Sequence, residues 1–142
     1  KQKTAYEIWN NPSQDPWEFL EQFAGLIQSN QAEPILIHLY TSVAAMGVTA
    51  DNPAHDWLKC HFELGIKHLT TSLEHGKAIG KVRNDAPSEA IARLLMSAAD
   101  GLQIQWLCQE NSAESPRTDI DMADHIRMLI SMIRECWGVE AD

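Results

Sequence analysis

The sequence predicts an all-α fold, an antiparallel bundle of about five to six helices. Three observations carry that prediction. Strand signals are nearly absent, because β-branched residues are scattered and never alternate with polar ones over a useful length. Apolar residues recur instead at helical spacing, as in Ile35, Leu39, Val43 and Met46. Start signals precede these runs: Pro16, Pro34, Pro53 and Pro87 each stand where a first helical turn accepts a residue without an amide hydrogen.

The elements follow in order. Residues 3–10 form a short amphipathic piece. "DPWEFLEQFAGLIQ" opens a helix with Asp15 as N-cap and Glu18 in the first turn, and Leu20, Phe23, Ala24 and Ile27 share its inner face. "SNQAEP" breaks that helix; the next starts at Pro34 and ends at Gly47. Asn52 caps a long helix running to about Glu74, with Leu58, Phe62, Ile66, Leu69 and Leu73 on its apolar face. "EHGKAIGKVRNDAP" is a turn region in which Gly76 suits a left-handed C-terminal position. A helix runs from Pro87 to about Gln109, a polar loop follows, and a last helix spans about Asp119 to Trp137. Met122, Ile126, Leu129, Ile130 and Ile133 form the stripe of that last helix. No repeat, low-complexity tract or internal boundary appears, so residues 1–142 read as one domain.

Composition narrows the function. The 142 residues suffice for a real core, and 44% are hydrophobic. Twenty acidic against 11 basic residues leave a net charge of −9, which repels phosphate backbones and argues against nucleic-acid binding by this segment. Cys60, Cys108 and Cys136 are widely spaced, odd in number and form no CxxC pair, as expected of reduced thiols in a cytoplasmic protein. No apolar run approaches the roughly 20 residues that span a membrane. The chain opens on Lys1 without an apolar signal region or an initiator Met, so we expect a piece of a longer protein.

The last two helices carry more apolar surface than one core face needs. Ile91, Leu95, Ala98, Leu102 and Trp106 form one stripe, while Met96, Ile104 and Leu107 lie on another side. Met128, Met132 and Trp137 are the extras on the final helix. Helices apolar on two sides are buried on two sides; in a short chain one side is expected to meet a second subunit, the alternative being that both sides are core of the same chain.

Catalytic and metal motifs fail on spacing. His61, His68 and His75 repeat every seven residues, about 10 Å of rise per step, too far apart for two of them to hold one ion unaided. No Glu precedes a His by three, which removes the diiron bundles. "GKAIGKV" has three residues between its glycines where a P-loop needs four, and Val82 where it needs a hydroxyl. There is no G-x-S-x-G elbow, and the adjacent Cys60 and His61 point about 100° apart on a helix. We therefore expect no enzyme, metal or cofactor. A small-molecule cavity is the reading that remains. Large aromatics mixed with a few polar groups suit one, and three successive helices supply them: Trp17 and Phe23, then His38, Tyr40 and Met46, then Trp57, His61, Phe62 and His68.

Further residues bring a family into view. They are the turn Gly80, Val82, Arg83 and Asp85, the helix segment Ala98 to Leu107 ("ADGLQIQWL" within it), the pair Asp121 and Met122, and the earlier "NPAHDWLKCHFE". In this order, over roughly residues 33–133, the chain resembles the C-terminal domain of TetR-type transcriptional regulators. The resemblance implies an effector-binding and dimerising domain, in a repressor more often than an activator. Its last two long helices would pair with those of a partner as a four-helix bundle. Operator DNA would be bound only by an N-terminal helix-turn-helix domain absent from this chain, with residues 1–10 as the tail of the connecting helix. The expected partners are thus a second copy of the chain and a small, largely apolar effector. Leu95, Ala98, Gly101, Leu102 and Trp106, with Ile126, Leu129, Ile130 and Ile133, are the expected interface. Gly101 costs roughly 1 kcal/mol of helix stability relative to alanine, which a close helix approach would offset. Gln103 and Gln105 would line the rim or enter the cavity from behind.

Overall fold

A computed structural model describes residues 4–110 and 121–140. It is a helical bundle of α1 (Ala5–Asn10), α2 (Pro16–Gln31), α3 (Pro34–Gly47), α4 (His55–Ala78), α5 (Ser88–Glu110) and α6 (Met122–Trp137). Among the described residues there is no strand, only the isolated bridge between Val82 and Gly138. No helix among them is long and apolar enough to cross a membrane.

Local chemistry sets the starts. Thr4 and Glu7 form a reciprocal capping box on α1: Thr4 Oγ1 accepts from the Glu7 amide at 3.3 Å, and Glu7 Oε2 accepts from the Thr4 amide at 2.7 Å. Asp15 Oδ1 accepts from the Trp17 and Glu18 amides at 2.8 and 3.4 Å, while Oδ2 pairs with Lys81 Nζ from the α4–α5 turn. The Lys81 bond holds the Asp15 carboxyl below its ordinary range, helped by those two amides against some desolvation. A lowered acid contributes stability above its unfolded value and loses it as pH falls through the folded one. Asp15→Ala is accordingly expected to cost about 1 kcal/mol near neutral pH, as a lost N-cap does, and urea titrations should show the gap to the parent closing on acidification.

Three boundaries differ from the sequence expectation. α4 begins at His55, because the Asn52 carbonyl oxygen of the side chain accepts from the Ala54 amide at 2.9 Å and forms a turn ahead of the helix. α4 also runs through Gly76 to Ala78, and the left-handed residue is Gly80, at φ 77°. Gly76 serves close packing instead: a Cβ there would stand 2.6 Å from Val82 Cγ2 and 2.7 Å from Pro16 Cγ. The N-cap of α6 is Asp121, which accepts from the Asp124 amide at 3.1 Å; Asp119 and the loop at 111–120 lie outside the described residues.

α2 is the hub, burying Trp17, Phe19, Leu20, Phe23, Ala24 and Ile27. It packs on α6 and α4, while α5 packs on both α4 and α6. The α4–α5 turn clasps the end of α6. The Arg83 amide donates to the Trp137 carbonyl at 2.8 Å, its guanidinium lies 5.3 Å over the Trp137 ring and bonds Asp85 at 2.8 Å, and Val139 donates back to Lys81 at 3.0 Å.

The expected subunit seam requires correction. Leu95, Trp106, Ile126, Ile130 and Ile133 are buried in the chain's own core, so they have no surface left to give a partner. Ala98, Gly101, Leu102 and Leu129 are half-buried beside it. The free apolar residues of this pair of helices are Leu94 and Ile104 on α5 and Met128 and Met132 on α6, each more than half exposed. Gly101 lies near the α5 part of that face, and a Cβ there would meet nothing within 4 Å.

Candidate functional site

Helices α1 to α5 line a partly open cavity of about 590 Å³. Its walls are mostly apolar: Trp9 from α1, Phe23, Leu26 and Ile27 from α2, Leu36 and Ile37 from α3, Leu64 from α4, and Met96 and Ala99 from α5. Leu36 and Leu64 are exposed as well as lining, which places them at the mouth. Gly65 on α4 leaves room for the Met96 side chain of α5, whose Cε would stand 2.7 Å from a Cβ there.

Polar groups line the cavity as well. The Tyr40 hydroxyl donates to the Asp100 carboxylate, 3.3 Å from Oδ1 and 3.2 Å from Oδ2, and links α3 to α5. Burial pushes the Asp100 carboxyl up, against the Tyr40 bond that favours its charge. Burial and the neighbouring carboxylate together push the Tyr40 phenol far up, so it stays a donor. Burial lowers His61, which favours a neutral imidazole. Gln103, one turn beyond Asp100, is buried, and its Oε1 has no hydrogen-bond partner. Thr4, Ser29, Asn30 and Glu33 complete the polar lining, which among the described residues includes no Lys or Arg.

An aromatic cluster braces Tyr40 and His61. The His61 ring stacks on Trp57 at 5.5 Å and tilts against Tyr40 at 5.2 Å, and Trp57 meets Tyr40 edge-on at 6.0 Å. On the α1 side Trp9 stacks on His68 at 5.0 Å and leans on Phe19 at 5.7 Å.

The sequence-predicted residues divide. Phe23, Tyr40 and His61 line the cavity. Trp57 and His68 touch lining residues from behind. Trp17, His38, Met46 and Phe62 do not reach it, which corrects the expectation for those four. Trp17 is buried against the α4–α5 turn, where its Nε1 donates to the Lys81 carbonyl at 3.2 Å. His38 and Met46 lie on exposed faces of α3, and Phe62 faces a separate shallow groove with Ile66 and Thr70. Sequence reasoning missed Trp9, Asn30, Glu33 and Asp100. Asp100 had a signal, a lone acid inside the apolar run "MSAADGLQIQWL". His61, His68 and His75 do not converge, and no group of three or more His, Cys, Asp or Glu among the described residues could hold a metal ion.

A raised acid destabilises the fold at high pH: its contribution is fully present below the unfolded pKa and is lost as pH rises through the folded one. Asp100→Asn is therefore expected to melt above the parent at mildly alkaline pH, with the difference shrinking as the buffer is acidified. Calorimetric melting across pH reads this, and an Asp100→Asn protein that melts lower at every pH would refute it.

No family model matches the chain, and no curated protein or solved structure is significantly similar to it.

Proposed function

We propose that this chain is the effector-sensing and dimerising half of a TetR-like transcriptional regulator, most simply a cytoplasmic repressor. The observation that carries the reading is the cavity, whose volume falls within the range of small-molecule sites and whose largely apolar lining includes a few polar groups, the bonded pair Tyr40 and Asp100 among them. The apolar face left free on α5 and α6 supports the dimer. The effector would favour one arrangement of the cavity helices. The dimer frame would pass this to two DNA-reading helices, which must match half-sites about 34–36 Å apart. The shift can be no larger than the effector's differential affinity for the two states.

The test is a thermal-shift screen of hydrophobic and aromatic metabolites, repeated on Ala99→Phe, which plugs the cavity. Compounds that raise the melting point of the parent should lose their effect in the plugged protein. Hits that act equally on both would end the cavity reading. The coding sequence ahead of Lys1 should encode a net-basic helix-turn-helix segment, and a start codon immediately before Lys1 would sink the regulator reading. A helical dimeric interaction module without a ligand is the second reading, favoured by the exposed α5–α6 face, which exists whatever the cavity does. A dimer that binds nothing in the screen would support it.

A further inference from the structure

We propose that the cavity takes an amphipathic cation, with a protonated amine seated on Asp100 beside Tyr40 and Gln103 and an apolar body against the apolar lining. This deepens, and rests on, the reading of the cavity as an effector site. Among the described residues, Asp100 and Glu33 are the carboxylates lining it, and no Lys or Arg lines it. Among the described residues Asp100 has one donor in reach, the Tyr40 hydroxyl, shared between both oxygens at 3.3 and 3.2 Å. A hydroxyl bonded well to a carboxylate stands at about 2.5–2.7 Å, so this contact compensates the buried charge poorly. One turn along α5, Gln103 is 8% exposed and its Oε1 is an acceptor without a partner. Two under-used acceptors on one helix face call for donors from the occupant.

The alternatives fit worse. An anion would meet two carboxylates and, among the described residues, no Lys or Arg. A neutral apolar ligand would seal Asp100 and Gln103 further from water, leaving Asp100 with the Tyr40 hydroxyl alone and Gln103 Oε1 unpaired, which is costly for buried polar groups. A cation satisfies Asp100, and the faces of Trp9 and Tyr40 attract positive charge. Among the described residues, Asp100, His61, Tyr40 and Glu33 are the titratable groups that line it. Acid protonates Asp100 and charges His61, and each change disfavours a cation, whereas Tyr40 stays neutral.

The experiment compares phenylbutylamine, phenylbutanol and phenylbutyrate by calorimetric titration of the intact chain near neutral pH. The amine should bind about 10- to 100-fold tighter than the alcohol, the range for a hydrogen bond to a charged partner, and the carboxylate should bind weakest. Asp100→Asn should bring the amine down to the level of the alcohol and leave the alcohol unchanged. The amine should weaken on acidification while the alcohol does not. If the alcohol matches the amine, and both are lost in Ala99→Phe, the cation proposal is overturned and the cavity reading stands. If none of the three binds, both fall. The comparison on the parent protein decides even if Asp100→Asn fails to fold.

Discussion

Met132→Glu is expected to convert a dimer into a folded monomer. Met132 and its neighbour Met128 are 55% and 60% exposed, in a helix whose other apolar residues are spent on the core. A charge placed at the centre of an apolar seam stays unpaired when the seam closes, and central interface residues carry most of the binding energy. The dimer dissociation constant should rise at least about 30-fold, the equivalent of a hot-spot loss of about 2 kcal/mol. Sedimentation velocity over a concentration series reads the change, with far-UV circular dichroism to show that the helices persist. The contrast is Ile126→Glu one turn and a half away. Ile126 is fully buried, so the same charge there should unfold the chain instead of dissociating it. A Met132→Glu protein that sediments as an unchanged dimer would move the seam elsewhere, and a parent that is monomeric throughout would remove it.

Phe19→Ala is expected to cost about 3–5 kcal/mol, the usual loss for an emptied aromatic site in a core. Phe19 is 1% exposed and is among the largest fully buried side chains. It also supports Trp9, whose ring lies 5.7 Å away, so its removal loosens α1 as well as leaving a void. Against a typical domain stability of about 5–15 kcal/mol, this is a third or more of the total. Urea unfolding monitored at two wavelengths checks it, and a loss under about 1 kcal/mol would mean that the core refills the space.

The helix pattern was legible because caps and periodicity are local. Asp15 with Pro16, and Pro34, mark their starts in a few adjacent residues. What α5 and α6 face was not legible in the same way. The periodicity of Leu95, Trp106, Ile126 and Ile130 marks an apolar stripe without saying whether it packs on α2 and α4 or on another chain. That depends on how the helices are arranged in three dimensions. The cavity was half legible for a related reason. Tyr40 and His61 carry their own chemical signal, whereas Asp100 matters through a contact 60 residues away in sequence. Trp17, also aromatic, fills the core. Residue type alone does not separate a wall from a filling.

The short first helix has a consequence of its own. A six-residue helix has almost no stability in isolation. α1 holds its place through its cap, through Ile8 in the core, and through Trp9 wedged between Phe19 and His68. Trp9 is also cavity wall, so an occupant of the proposed site becomes one more member of the small set of contacts that pins α1. Occupancy would then be written as local order, in how often α1 opens, before any larger rearrangement of the bundle. By linkage the transfer runs both ways: whatever steadies or strains α1 from outside would retune the affinity of the cavity by the same factor.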